Sequence, residues 1–217
     1  MMNNKENDEL TLLFSNYPDL KCCRDHILAA FRLLSNCYHQ KGLIMVCGNG
    51  GSAADAEHIV GELMKGFKMK RPIKPEQRRL IQSLFTADGD FLVDNLQQAI
   101  PAISLVSQTS VSTAIINDMK AEMVFAQLVF GYGKQGDLLI GLSTTGSSKN
   151  VVNACKVAKA LGIRTIALTG KKESQLSEIC DVTIQVPAQE VYRVQELHQP
   201  VYHTLCAMLE REAFDNG

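Results

Sequence analysis

Four polar side chains stand at spacings that could bring an acid, a base and two further donors together. His58 and Glu62 are four apart in a stretch that reads as helical from Ser52 to Lys65, so they share a face one turn apart. Gln195 and His203 are eight apart in a second helical stretch, from about Arg193 to Phe214, and a little over two turns brings them onto roughly one face, with His198 rotated away. A carboxylate and an imidazole suffice to move a carbonyl between adjacent carbons of a sugar, one removing a carbon-bound proton and the other protonating or polarising oxygen. The same four side chains could hold a divalent ion such as zinc, because they form a nitrogen and oxygen donor set without thiolates. Spacing alone leaves both readings open, since a His/Glu pair on a helix is commonly just a surface pair. The four converge only if the helices border one crevice or meet across a subunit boundary.

Two loops supply a different chemistry. CGNGGSAAD (Cys47 to Asp55) carries three glycines, including Gly50 and Gly51, that let the backbone approach a ligand, and Ser52 is expected to cap the helix that follows. STTGSSKN (Ser143 to Asn150) gathers five hydroxyl side chains around Gly146 just before another helix. Free amides and the positive dipole end of a helix, joined by hydroxyls, make a neutral cage for a phosphate dianion. Either loop alone is commonly only a helix cap; two in one chain, each between strand and helix, point to a small phosphorylated ligand. The Lys-Ser/Thr pair of a P-loop and the G-x-G-x-x-G spacing are both missing, so no nucleotide cofactor is expected.

The elements that must position these residues follow from short apolar runs. LIMVC, PAISLVS, DLLIGLS, IRTIALTG and VTIQVP each lead into a helical stretch, and repeated strand-then-helix units imply an α/β, doubly wound fold: a mainly parallel five-stranded sheet with helices on both faces. In such sheets the ligand crevice lies beyond the carboxyl ends of the strands, where both loops fall. An N-terminal helical segment over about 8–41 shows an apolar stripe of Ile27, Phe31, Leu34 and Tyr38. An insertion over about 71–98 reads as two short surface helices. The basic residues in and just before it, Lys68, Lys70, Arg71, Lys74, Arg78 and Arg79, could greet an anionic substrate or partner but read more simply as a solvated face.

The 217 residues suit one domain, and the net charge of -1 offers no field for a nucleic acid. No apolar run approaches the roughly 18 residues of a membrane helix, and the start is polar rather than leader-like, so a cytoplasmic protein is expected. Seven cysteines without a C-x-x-C pair fit a reducing compartment, where most act as small hydrophobes.

CGNGGSAADAEHIVGEL, TAIIND, GDLLIGLSTTGSSKNVVNACKVAKALGIRTIALTG and VQELHQPVYHTLC, taken in order, resemble the phosphoheptose isomerase branch of the SIS (sugar isomerase) domain family, from about residue 25 to 212 apart from the insertion. The resemblance implies that Ser143, Thr145 and Ser148, with Ser52, hold a sugar phosphate, and that Thr144 contacts substrate beside them. It implies that Asn49, Gly50, Gly51, Asn117, Asp118 and Gln195 also contact substrate, with Asn49 and Asp118 on sugar hydroxyls. Glu62 matches the proton-abstracting base and His203 its partnering acid, acting through an enediol that links sedoheptulose 7-phosphate to D-glycero-D-manno-heptose 7-phosphate. His58, Glu62, Gln195 and His203 match positions that bind zinc in metal-containing members. A homotetramer with sites between subunits is implied too. The long insertion, EVYR before the terminal Gln and Gly66 in place of a basic residue depart from the family pattern. Two other functions share the fold: a non-catalytic adaptor that binds a replication initiator, and a sugar-phosphate-sensing module. The full set of Glu62, Gln195 and His203 favours an enzyme.

Overall fold

Each apolar run becomes a strand because both of its faces are covered. The computed structural model describes residues 4–215, and side chains from residue 8 onward. Strands β1 (Ile44–Cys47), β2 (Ala102–Ser104), β3 (Leu138–Leu142), β4 (Arg164–Thr169) and β5 (Val182–Gln185) form one sheet in the order β2-β1-β3-β4-β5. Every pairing is parallel, so the sheet is wholly rather than mainly parallel. Along β1, Ile44 and Val46 enter one core while Met45 and Cys47 enter the other, the alternation that a pleated strand imposes.

The first core is covered by α1 (Asn4–Asn16), α2 (Arg24–His39), α3 (Gly51–Met64) and α10 (Val191–Phe214). Between α1 and α2 a 3-10 helix spans Pro18–Cys23, so the N-terminal helical segment is not continuous: proline cannot extend α1, and it holds Tyr17 at φ -131°, ψ 73°. The insertion forms α4 (Pro75–Leu84) and α5 (Gly89–Asn95), the two expected surface helices. The second core is covered by α6 (Thr109–Asp118), α7 (Val124–Tyr132), α8 (Lys149–Ala160) and α9 (Gln175–Ile179). The helical stretch that follows PAISLVS is thus two helices, α6 and α7. The 3-10 helix Ala121–Met123 between them docks on α8, where Lys149 Nζ meets Glu122 Oε1 at 3.0 Å and Asn153 Nδ2 donates to the Glu122 carbonyl at 3.0 Å.

One expectation about the basic residues fails outright. Arg71 is buried, with Nε donating to Glu210 Oε1 at 2.7 Å and the guanidinium 4.8 Å from the Phe214 ring centroid. A guanidinium is buried only when its charge is paired and its N–H groups are satisfied, and both conditions are met here. Lys68 is half tied down as well, 2.8 Å from Glu9. The buried thiols act as hydrophobes; burial pushes Cys37 and Cys206 up to about 12. Among the described residues, no helix is long and apolar enough to cross a membrane.

Candidate functional site

β1 and β3 lie side by side although β2 separates them in the chain, so the connections leaving them diverge and open a crevice at their carboxyl ends. The two loops singled out from the sequence therefore end as neighbours. Asn49 and Asn150 join them through two reciprocal amide hydrogen bonds of 2.9 Å each. Asn150, on the first turn of α8, was not selected by sequence reasoning; its only signal was an amide just past a hydroxyl-rich loop.

In the first loop Gly50, at φ +56°, occupies the cap position, and α3 starts at Gly51. Ser52 is not the expected cap. It sits inside the first turn, buried, with its backbone N–H donating to the Asn49 carbonyl at 3.0 Å. Gln195 lies against this turn: a Cβ on Gly51 would stand 2.6 to 2.8 Å from the three atoms of its amide.

In the second loop the buried Ser143 pairs its Oγ with Ser148 Oγ at 2.9 Å. Thr144 is half-buried and its carbonyl accepts from Gly170 N at 3.0 Å, while Thr145 is exposed. Gly146, at φ +67°, has no room for a side chain, since a Cβ would fall 2.0 Å from Ser174 Oγ. Ser148 caps α8 by backbone alone, without a side-chain bond to its own helix. Hydroxyls and the first amides of α8 thus face one crevice, which is the donor set a phosphate dianion requires.

The imidazoles and carboxylates gather further along α3, where α10 packs beside it. His58 Nε2 is 3.1 Å from Glu62 Oε1, and His58 Nδ1 is 3.0 Å from the Tyr202 hydroxyl, which donates to Asp55 Oδ1 at 3.2 Å. With the tyrosine proton given to Asp55, Nδ1 must be the donor to Tyr202. Nε2 then faces Glu62 Oε1, and either a proton or a cation has to lie between the two. The His203 ring lies 4.9 Å from that of His58, 4.8 Å from Tyr202 and 5.5 Å from Phe67. Burial lowers the His203 pKa, as does His58, against the opposing pull of Glu62. Burial raises that of Asp55, partly offset by Tyr202 and His58, and also that of Tyr202, where Asp55 adds to it. His203 opens on a cleft of about 530 Å³ shared with Phe67, Gln199 and the α1 side chains Leu12 and Leu13.

His58, Glu62 and His203 are therefore brought together. Gln195 is not with them but at the glycine loop, and Asn117 and Asp118 bond to each other at 2.7 Å on the exposed end of α6. Asp55 and Tyr202 were missed, although Asp55 precedes His58 by three positions and Tyr202 adjoins His203. Ten residues of α3 separate Ser52 from Glu62, about 15 Å at the helical rise. As they stand, no three His, Cys, Asp or Glu side chains among the described residues form a group that could hold a metal ion. The donor types nevertheless suit one: Glu62 Oε2 and His203 Nε2 are buried without a hydrogen-bond partner among the described residues, and Nε2 of His58 needs a proton or a cation.

This arrangement of parallel sheet, glycine loop and hydroxyl loop is that of an SIS-domain protein. Models of the SIS domain match residues 108–211 and 20–81. The chain is 35% identical over 199 residues to the phosphoheptose isomerase of Akkermansia muciniphila, covering 92% of each, and 38% identical to that of Nitratiruptor sp., covering 86% of each. Among solved structures, the phosphoheptose isomerase of Francisella tularensis superposes with a TM-score of 0.73 at 26% identity, over 97% of this chain and 100% of that one. That of Neisseria gonorrhoeae gives 0.69 at 28%, over 94% and 98%. The chain belongs to the phosphoheptose isomerase family.

Proposed function

We propose that this protein is an aldose-ketose isomerase that interconverts sedoheptulose 7-phosphate and D-glycero-D-manno-heptose 7-phosphate through an enediol. The observation that carries the reading is the cluster of Glu62, His58 and His203, a carboxylate against an imidazole with a second imidazole 4.9 Å away, in a chain that also carries a hydroxyl cradle at its sheet crevice. Ser143, Thr144, Thr145 and Ser148, with Ser52, bind the phosphate. Asn49, Gly50, Gly51, Asn117, Asp118 and Gln195 contact the sugar. Glu62 takes the proton from the carbon beside the carbonyl, and His203, kept neutral by burial, hydrogen-bonds the carbonyl oxygen from its ring N–H as negative charge develops there. His203 passes that N–H proton to the carbonyl oxygen, giving the enediol, and takes one back from the neighbouring hydroxyl as Glu62 returns its proton to the former carbonyl carbon.

His58, Glu62 and His203 would hold a divalent ion such as zinc, and Gln195 would join them only by leaving the glycine loop or from a second copy. When bound, the ion supplies a Lewis acid for the carbonyl oxygen. A homotetramer with sites at subunit boundaries belongs to the same reading, as does a cytoplasmic location. An extended seven-carbon phosphate reaches about 10 Å with bonds near 1.5 Å. The rise from Ser52 to Glu62 along α3 is of the same order, about 15 Å before either side chain is counted, and a second copy would complete the site where one chain falls short. Exposed Ile116, Met119, Phe130 and Tyr132 on and beside α6 and α7 give such a copy apolar surface to cover.

The test is to incubate the purified protein with sedoheptulose 7-phosphate and follow formation of the aldoheptose phosphate. Turnover is expected; none, with or without added zinc, overturns the reading in favour of a non-catalytic adaptor.

A further inference from the structure

The buried Arg71 and Glu210 are two charges that the proposed chemistry does not use, and apart from each other and the Phe214 ring their partners are backbone groups beside it. The carbonyls at the end of α3 lack partners within the helix. Arg71 supplies them: Nη2 donates to the Glu62 carbonyl at 3.0 Å and Nη1 to the Leu63 carbonyl at 2.7 Å. Its Nε is held by Glu210, whose two oxygens also accept the backbone N–H groups of Phe67 at 2.8 Å and Lys68 at 2.7 Å. Both side chains have no exposed surface. Glu210 lies seven residues beyond His203 on α10, two turns along the same face, and the Phe67 ring rests against His203.

We propose that the Arg71–Glu210 pair is a positioning device for the isomerase site, fixing the end of α3 that carries Glu62 and the turn that carries Phe67 to the helix that carries His203. The inference rests on the assignment of Glu62 as base. Stability alone is a poor reason for the pair, because buried ion pairs roughly break even against well-packed apolar residues of similar volume. Geometry is a better one. A guanidinium spans two carbonyls and a carboxylate with donors fixed in one plane, whereas the three donors of a lysine ammonium crowd one rotatable nitrogen, so the fork ties the end of α3 to α10 in a defined geometry.

Arg71→Lys and Glu210→Gln keep charge or shape in turn, and each is assayed with sedoheptulose 7-phosphate well below its own melting midpoint. Both are expected to lower kcat by about tenfold or more while KM and calorimetric affinity for the sugar phosphate stay within about threefold, the signature of lost alignment rather than lost binding. A kcat within about twofold of the parent in both variants, or a raised KM at unchanged kcat, overturns the proposal whatever the melting temperatures do. Glu62→Gln is run in parallel. If it keeps turnover, the base assignment itself is wrong; if it is inactive while Arg71→Lys and Glu210→Gln turn over normally, only the positioning role falls.

Discussion

Replacing Gly51 by alanine separates the contribution of Gln195 to turnover from its contribution to stability. Gly51 has no positive φ, and the three atoms nearest the added Cβ are all in the amide end of Gln195, at 2.6 to 2.8 Å. Carbon contacts are comfortable near 3.5 to 4.0 Å, so the amide must retreat by about 1 Å. It is the free end of a half-buried side chain, and an off-rotamer adjustment costs about 0.5 to 1.5 kcal/mol. Alanine in a helix returns roughly 0.5 to 1 kcal/mol relative to glycine. The two nearly cancel, and a residual below about 1 kcal/mol moves the midpoint of a chain this size by no more than about 4 °C. Catalysis has no such offset, since a misplacement of about 1 Å can cost on the order of a hundredfold. Thermal melts by circular dichroism and steady-state kinetics on sedoheptulose 7-phosphate give the two readouts. The expected outcome is an unchanged melt with kcat/KM lower by tenfold to a hundredfold, or about 1.4 to 2.7 kcal/mol of transition-state stabilisation. Unchanged kcat/KM refutes the placement of Gln195 in the site; a melt lowered by more than about 3 kcal/mol refutes the claim that only a flexible end is displaced.

Glu62→Gln removes a proton acceptor with little ground-state contact, so turnover should vanish while sugar-phosphate affinity by calorimetry stays within about tenfold. Gly146→Ala places a methyl 2.0 Å from Ser174 Oγ at φ +67°, and should cost at least about 2 kcal/mol in urea unfolding and raise KM by distorting the cradle. Burial lowers His198 from 6.5 to about 4, so the unfolded chain takes up its proton first as pH falls. Stability is full above about pH 6.5 and is lost toward pH 4, by about 3 kcal/mol, and His198→Asn should flatten that part of the parent's stability-versus-pH curve in chemical denaturation. Mixing unfolded Glu62→Gln and Gly146→Ala chains and refolding them together should give more turnover at low substrate than the two variants refolded separately, provided sites are shared between copies; no such gain would place the whole site in one chain.

What could be read from the sequence and what could not divide along the range of the interaction. The strands were legible because runs such as LIMVC and LLIGL are wholly apolar and bounded by glycines, a local signal. The two loops were legible for the same reason. Ser52 was misread as a cap because the Gly-Gly turn before it starts α3 one residue earlier, with Gly50 in the capping place. Arg71 could not be told from Arg78 or Arg79 by its neighbours, because what buries it is Glu210, 139 residues away. Tyr202 and Asp55 are 147 residues apart, and Asn49 and Asn150 are 101 apart. Each contact exists only once the parallel sheet has set β1 beside β3 and α10 beside α3.

That helix pair explains why the site has two ends. On α10, Gln195, Tyr202 with His203, and Glu210 recur at seven- and eight-residue steps and so form one polar stripe in an otherwise buried helix. On α3 the stripe meets Gly51 at the start, Asp55 and His58 in the middle, and the groups that follow Glu62 at the end. The two helices run the same way, and the polar seam between them leads from the crevice where phosphate would bind down to the buried ion pair. Gln195 and the proposed acid and base therefore sit at different heights on one chain. A phosphorylated sugar held at the crevice has to span that difference in height, less the reach of the Glu62 side chain, to meet the base of its own chain. The same physical feature that brings Glu62, His58 and His203 together, a long helix beside α3, sets them two to three turns from Gly51, and the co-refolding of Glu62→Gln with Gly146→Ala decides whether one copy's cradle serves another copy's base.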